Sequence, residues 1–255
     1  MTQYVDPYIG SGGHGHVFVG ANVPYGLVQL GPSSIPQEWD WTSGYHISDS
    51  TVIGFPHMHL SGTGIGDLHD ITLMPVTGEV TYARGVESDQ TSGLWSYSDR
   101  SKEVVKPGYY ATHLLRYNVD VELTATKRVG FHKYTFNQKE NAAVVFDLQN
   151  GGCWDSPTKA YINKVDDKTI EGYRYSSGWA NDQRVFFVAE FSEPITSLDV
   201  IVDRGEAVAD KGEGKIVYAR ANVDAQKPVY VKVALSPTSI ENAKLNMQTE
   251  LPGWD

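Results

Sequence analysis

The feature of this sequence that most constrains its fold is a two-residue alternation of apolar and polar side chains, which runs in short segments from residue 104 to residue 235. Turn signals such as "NQKEN", "DDKT" and "GEG" separate the segments. Successive side chains of a strand point to opposite faces, and turns about every 8–12 residues are typical of a sandwich. We predict about eight or nine strands in "YYATHLLRY", "VELTATKRVGFHKYTF", "AAVVFDLQN", "KAYINKVDDKTIEGYRYS", "QRVFFVAEFS", "SLDVIVD", "GKIVYARAN" and "PVYVKVALS". No helical pattern interrupts these segments, so an all-β sandwich is predicted rather than a βαβ fold.

The pattern changes only at the carboxyl end, in "SPTSIENAKLNMQTELPGWD". Ser236 or Ser239 is placed to cap a short helix, with Glu241 in its first turn and Pro252 after its end. This segment indicates an exit from the domain. We expect a β-sandwich over residues 1–238, and over 239–255 the start of a linker to a further domain.

Charge and composition exclude several classes of function. A formal net charge of -10 opposes nucleic-acid binding, because that affinity comes mainly from Lys and Arg at phosphates. Cys153 is the only cysteine, so a thiolate metal cage is excluded, and an apolar structural role is the favoured one for its thiol. There is no signal-peptide pattern and no apolar run long enough to span a membrane. If the protein is exported, its signal peptide is expected to be absent from this sequence.

Six of the eight histidines fall in the first 80 residues, where glycine is frequent and charges are few. Two His-x-His pairs stand in "GSGGHGH" and "FPHMHLSG", at His14 with His16 and at His57 with His59. Three interpretations stay open: the pairs bind a metal, they line a polar ligand pocket, or they brace the loops. For a metal such as zinc, the remaining ligands would come from "GDLHD", which supplies Asp67, His69 and Asp70.

A dense aromatic block, "QEWDWTSGYH", favours sugar binding. Flat amphipathic rings stack on the apolar faces of sugars, while a neighbouring carboxylate takes hydrogen bonds from hydroxyls. The block supplies Trp39, Asp40, Trp41, Tyr45 and His46. Glycoside hydrolysis needs a pair of carboxylates. Asp40, Asp49, Asp67 and Asp70 are candidates by location only, and no motif separates an acid from a base.

Several blocks together resemble the amino-terminal region of glycoside hydrolase family 92, the calcium-dependent exo-acting α-mannosidases. They are "DPYIGSGGHGHVFVGANVPYGLVQLGP", "WDWTSGYHISDSTVIGFPHMHLSGTG", "GDLHDITLMP", "KPGYYATHL" and "VELTATKRVGFHKYTF". The resemblance is dense over residues 5 to about 136. It implies a galactose-mutarotase-like β-supersandwich, followed in the intact enzyme by an (α/α)6 catalytic domain that carries the acid and the base.

The activity implied is the removal of terminal α-linked mannose from glycans with inversion, in a cleft between the two domains. Calcium is implied in the intact enzyme, and periplasmic or extracellular localisation fits such a substrate. No catalytic residue is assigned to this chain, which is expected to be inactive alone. The positions expected to line the sugar side of the cleft are His14, His16, Trp39, Asp40, Trp41, Tyr45, His46, His57, His59, Ser61 and Gly62.

Two rival functions remain: a free-standing carbohydrate-binding β-sandwich and a zinc hydrolase built on the His-x-His pairs. Calorimetric binding of manno-oligosaccharides by the chain alone would favour the binding module. The absence of measurable binding would favour one half of a cleft that two domains form together. The mannosidase hypothesis further predicts that the face formed by residues 12–62 exposes aromatic side chains that a second domain normally covers.

Overall fold

The computed structural model describes residues 2–254 and consists mainly of antiparallel strands. The strands are Ala21–Asn22 (β1), Gln29–Leu30 (β2), Thr51–Val52 (β3), Thr72–Val76 (β4), Ser96–Tyr97 (β5), Val104–Lys106 (β6), Tyr109–Leu114 (β7), Val119–Ala125 (β8), Val129–Phe136 (β9), Ala143–Asp147 (β10), Ser156–Lys164 (β11), Thr169–Ser177 (β12), Gln183–Phe191 (β13), Ile195–Val202 (β14), Ala207–Ala209 (β15), Lys211–Gly214 (β16), Val217–Val223 (β17) and Val229–Ser236 (β18). One α-helix, Ile240–Glu250 (α1), follows them, and 3₁₀ turns occur at Thr2–Tyr4, Trp39–Trp41 and Arg100–Lys102.

Two sheets form the predicted β-sandwich. The larger has nine strands in the order β16-β11-β12-β13-β18-β9-β8-β7-β6, and the smaller has five in the order β15-β14-β17-β10-β4. The predicted alternation is visible in β12, where buried and half-buried residues alternate along the whole strand. The all-β prediction is therefore confirmed. Each of the two longest predicted segments, 121–136 and 159–176, contributes to two strands joined by a turn.

The apolar core lies between the two sheets, where side chains such as Phe146, Phe187 and Phe191 pack together. The other face of the nine-stranded sheet is partly covered by α1, whose Ala243 and Met247 pack on Val188 and Ala234. Ser239 caps this helix by accepting a hydrogen bond from the Asn242 amide. The predicted short helix is therefore present, and it packs on the sandwich.

One connection differs from the turn expected at "GEG". Residues 211–214 form β16, which pairs with β11 at the edge of the nine-stranded sheet. The preceding β15 pairs with β14 in the five-stranded sheet. The chain thus crosses from one sheet to the other at this edge, and the backbone hydrogen bonds available along β11 outweigh the low strand propensity of glycine.

Residues 2–71 form mainly loops and two-residue strands. Ribbon β1–β2 lies against β8, and a small apolar cluster of Ile35, Ile53 and Trp95 supports the loops. The chain then enters the five-stranded sheet at β4, which pairs with β10. This arrangement places both His-x-His segments and the aromatic block together on one rigid β scaffold. No helix among residues 2–254 has the length and apolar character needed to cross a membrane.

Candidate functional site

The two His-x-His pairs do not converge on one point. His14 and His16 lie beside Asp40, whereas His57 and His59 turn into the protein and are almost fully buried. Within residues 2–254, no group of three or more His, Cys, Asp or Glu side chains has an arrangement that could hold a metal ion. This geometry opposes the zinc interpretation, which required the pairs to share a metal.

An exposed histidine–aspartate pair forms the accessible part of the site. His14 Nδ1 lies 2.6 Å from Asp40 Oδ1, and the His14 side chain is 78% exposed. The hydrogen bond from His14 holds the pKa of the Asp40 carboxyl below its usual value. Because Nδ1–H donates to this carboxylate, neutral His14 presents Nε2 as a hydrogen-bond acceptor.

The indole of Trp39 completes this surface. Its ring is 5.6 Å from that of His14 and 4.2 Å from that of the buried His16, centroid to centroid. Trp39 Nε1 donates to the Gly64 carbonyl at 2.8 Å, so the ring is held in place while 55% of the residue remains exposed. An anchored, exposed indole beside a hydrogen-bonding pair suits a ligand with one apolar and one polar face.

The loops carrying these side chains are joined by backbone hydrogen bonds. His16 has a left-handed backbone with φ of 52°, and its carbonyl accepts from the Gly62 amide at 2.6 Å. Ser61 Oγ accepts from the Phe18 amide at 3.1 Å. Ser61 and Gly62 therefore connect the second loop to the first. Strain of this kind is found where surrounding contacts fix a loop in one conformation.

A 3₁₀ turn at Trp39–Trp41, rather than a strand, separates the two tryptophans of the aromatic block. Trp41 is half-buried, stacks on His46 at 4.3 Å and donates from Nε1 to Asp49. The short helical turn points the indoles in different directions, whereas a strand would have placed both on one face. Trp39 is therefore free for a ligand and Trp41 supports the loop.

Tyr45 lies deeper than the other members of the aromatic block. It is buried, and its hydroxyl donates to Glu103 Oε1 at 3.0 Å. The Arg100 guanidinium donates hydrogen bonds to both the Tyr45 hydroxyl and the Glu103 carboxylate. Burial is the largest cause of the raised pKa of the Tyr45 hydroxyl. This cluster joins the loop to the turn before β6.

His57 belongs to a hydrogen-bonded chain through the core. Its Nδ1 lies 2.5 Å from the Ile71 carbonyl, and its Nε2 lies 2.9 Å from His132 Nε2. His132 Nδ1 in turn lies 2.7 Å from the Tyr134 hydroxyl. The carbonyl can only accept, so the direction of every bond follows: Tyr134 donates to His132, His132 to His57, and His57 to Ile71. All three rings are buried, and desolvation lowers the pKa of His57 to about 4.

His59 enters a second buried group. Its Nδ1 lies 2.8 Å from the Gln29 carbonyl, and its Nε2 lies 3.2 Å from Ser33 Oγ. The same hydroxyl is 3.2 Å from His69 Nδ1. Desolvation lowers the pKa of His59 to about 4 and also lowers that of His69. These histidines are uncharged, and they support the loops from beneath.

A buried ionic cluster that the sequence did not indicate fixes the "GDLHD" loop. Arg174 has no exposed side-chain surface and lies 2.6 Å from both Asp70 Oδ1 and Asp155 Oδ1. Gln183 donates to the other oxygen of Asp70 at 2.6 Å. The only signal in the sequence was a charged residue at an inward-facing position of the alternation in "EGYRYS". Cys153 stands nearby, partly buried, and burial raises the pKa of its thiol.

The carboxylates of these loops are already engaged. Asp49 accepts from Gln37, Trp41 and the Thr51 amide. Asp67 accepts from the Ala180 amide, and Asp70 from Arg174 and Gln183. Calcium takes about six to eight oxygen ligands. The described residues do not fit such a site, because no three of their His, Cys, Asp or Glu side chains are grouped so as to hold an ion.

Known proteins resemble this chain over its whole length. The description "Glycosyl hydrolase family 92 N-terminal domain" belongs to the family model that matches residues 4–236. A family GH92 α-mannosidase from Bacteroides thetaiotaomicron, solved with mannoimidazole, is 35% identical with a TM-score of 0.94; the match covers 100% of this chain and 34% of that one. An inverting GH92 mannosidase of the same organism is 22% identical with a TM-score of 0.81, over 98% and 33% of the two chains, and supports the fold alone.

A curated relative from Arthroderma benhamiae, named an uncharacterized secreted glycosidase, is 24% identical over 289 residues. That match covers 100% of this chain and 36% of the relative. The chain therefore spans about a third of the length of each of these proteins.

Proposed function

Because the chain belongs to the glycosyl hydrolase family 92 N-terminal domain family, we propose that it forms one wall of the substrate cleft of an exo-acting, inverting α-mannosidase. The mannose specificity is supported by a relative that is an α-mannosidase and is 35% identical to this chain. The inverting outcome is proposed from the family resemblance of the sequence blocks alone. The substrates proposed are glycans that end in α-linked mannose.

The observation that carries this proposal is the exposed His14–Asp40 pair beside Trp39. A pyranose can place an apolar face on the indole while a hydroxyl donates to His14 Nε2. Asp40 fixes the tautomer and the orientation of the imidazole, so the acceptor is preorganised. Ser61 and Gly62 hold the loop beside this surface, and the other predicted site residues support it from beneath.

We place the catalytic acid and base outside residues 2–254. An inverting pair needs one carboxyl that carries a proton and another that can activate water. Asp49, Asp67 and Asp70 are buried and already bonded, and Asp40 is bonded to His14. Because residues 2–254 contain no group of side chains suited to an ion, we also place calcium outside this domain. The partner proposed is the helical catalytic domain of the same enzyme, with residues 1–238 as the sandwich and 239–255 as the start of the link.

A fluorine-labelled chain tests directly whether His14, Asp40 and Trp39 form a sugar-binding wall of the cleft, called the sugar wall below. With 5-fluorotryptophan in all six tryptophans, titration with methyl α-mannoside to tens of millimolar is expected to shift the Trp39 fluorine resonance. Methyl α-glucoside, which differs at one hydroxyl, is expected to shift it less. Asp40→Asn should weaken the response because it loses the charge that orients His14. A Trp39 fluorine resonance that neither sugar shifts would refute the proposal. Turnover of an aryl α-mannoside that scales with the concentration of this chain would also refute it.

A free-standing carbohydrate-binding module is the alternative, and the exposed indole of Trp39 is the observation that favours it. A complete module binds oligosaccharides strongly enough for calorimetry, whereas half of a cleft lacks the contacts of the other half. Calorimetric binding in the micromolar range by the chain alone would therefore select the module.

We also propose that the protein acts outside the cytoplasm, in the periplasm or beyond the cell. The name of the Arthroderma benhamiae relative, a secreted glycosidase, supports this localisation. Fractionation of the native cells tests it, and recovery of the protein with the cytoplasmic fraction would contradict it.

A further inference from the structure

Three exposed tryptophans are arranged along the loop Ser61–Asp67. Trp39, Trp154 and Trp179 are 55%, 47% and 70% exposed, although indoles are usually among the most buried side chains by area. They come from three separate segments of the sequence. Their common feature is that each segment is bonded to this one loop.

The bonds give the order of the three segments along the loop. Trp39 Nε1 donates to the Gly64 carbonyl at 2.8 Å, and the Trp154 amide donates to the Gly66 carbonyl at 3.1 Å. The Ala180 amide, next to Trp179, donates to Asp67 Oδ2 at 3.2 Å. Trp154 and Trp179 therefore follow Trp39 in the direction from Gly64 to Asp67.

The segment before Trp179 is packed tightly against the loop. A Cβ atom on Gly178 would lie 2.2 Å from Asp67 Oδ1, so only glycine allows this approach. Asp67 itself is 4% exposed. The backbone on both sides of Trp179 is thus fixed to the buried Asp67. The exposed Trp179 ring therefore projects from a turn of fixed conformation.

The residues around these rings are small and polar. The segments read "SGTGIGD", "GGCWDS" and "SSGWAND", with Ser61, Thr63 and Asn181 exposed. The core of a protein–protein interface is rich in contiguous apolar and aromatic side chains. Separate indoles among glycine, serine and asparagine instead suit a ligand with alternating apolar faces and hydroxyls, which is the chemistry of a sugar chain.

We propose that Trp154 and Trp179 form subsites for the second and later sugars of an α-linked manno-oligosaccharide whose terminal sugar lies at Trp39. This inference rests on the proposed function and extends it, because it assigns an extended chain as the substrate class. A monosaccharide reaches only Trp39, and a chain of three or four sugars reaches the other two rings.

The fluorine-labelled chain tests this inference with the tryptophans assigned one at a time by Trp→Phe variants. An α-linked mannotetraose is expected to shift the Trp39, Trp154 and Trp179 resonances, whereas methyl α-mannoside shifts Trp39 alone. Trp154→Ala and Trp179→Ala should each weaken mannotetraose binding about tenfold and leave methyl α-mannoside binding unchanged. The matched control is Trp254→Ala, because Trp254 is also partly exposed but packs on Phe131 beside Lys232. It should affect neither ligand.

The outcomes separate this inference from the proposed function. A shift of Trp39 with both ligands, with Trp154 and Trp179 silent, overturns the extended subsites and leaves the sugar wall standing. If neither ligand shifts the Trp39 resonance, both the sugar wall and the extended subsites are refuted. Shifts of Trp154 and Trp179 that depend on protein concentration without sugar would assign the surface to protein contact and overturn the inference.

Discussion

The buried histidines predict a steep loss of stability on mild acidification. The pKa of His57 and that of His59 fall from 6.5 to about 4 on folding, in both cases because burial disfavours the charged ring. The unfolded chain takes up these protons first as the pH falls. The free energy of unfolding is therefore nearly unaffected above about pH 7, and it falls progressively as the pH drops through 6.5 towards about 4.

The size of the loss follows from linkage. At pH 7 each of these histidines lowers the free energy of unfolding by about 0.2 kcal/mol, and at pH 5 by about 2 kcal/mol. His57 and His59 together should remove about 4 kcal/mol between pH 7 and pH 5, and His132 and His69, whose pKa values are also lowered, act in the same direction. A domain of this kind has a free energy of unfolding of only about 5–15 kcal/mol.

Urea denaturation followed by tryptophan fluorescence at pH 7, 6 and 5 measures this loss. His57→Gln should reduce the pH dependence by about 2 kcal/mol over this range, because one titrating ring is removed. Tyr134→Phe is the matched control, since it removes a hydrogen bond to His132 but no group that titrates in this range. It should lower stability by about 1–3 kcal/mol at every pH. A wild-type stability that is flat from pH 7 to pH 5, or an unchanged slope in His57→Gln, would refute the reasoning.

Three further predictions concern the loops and the calcium. Arg174→Met leaves the buried Asp70 carboxylate without its partner and should lower the free energy of unfolding by about 3–5 kcal/mol in urea; an unchanged midpoint would contradict the buried cluster. Gly64→Ala, with φ of 62° and a Cβ atom 2.7 Å from the Trp39 ring, should displace that indole and alter its fluorine resonance. Gly62→Ala carries similar backbone strain in open space, so an equal displacement of Trp39 by both variants would count against this account. Elemental analysis of the chain after dialysis against calcium should find far less than one ion per chain, and a stoichiometric ion would place calcium in this domain after all.

The large exposed apolar side chains between residues 12 and 62 are Tyr25, Trp39 and Ile47. The sequence predicted aromatic exposure in this range, and Tyr25 and Trp39 are both exposed. That a second domain covers them stays a prediction. Trp154 and Trp179 were not indicated, because a single indole in a polar loop has no local pattern that separates a buried ring from an exposed one. Only the hydrogen bonds from the Trp154 amide to Gly66 and from the Ala180 amide to Asp67 bring their two segments to the loop Ser61–Asp67.

The sequence by itself determined the fold class and the long strands from β7 to β14, β17 and β18, because alternation is a property of consecutive residues and does not depend on which strands become neighbours. It did not indicate the short strands β1 to β6, β15 and β16. The helix cap at Ser239 was a local signal of the same kind. The blocks at the amino end also sufficed to indicate the family.

Only the tertiary structure decided what each histidine does. His57 and His132 are 75 positions apart, and Arg174 meets Asp70 across 104 positions. Such pairs depend on which strands become neighbours, and no local spacing encodes that choice. His14 and His57 begin identical His-x-His motifs, yet one faces solvent beside Asp40 and the other closes a hydrogen-bonded chain in the core. The physical reason is burial: desolvation keeps His57 neutral, whereas exposure leaves His14 free to meet a ligand.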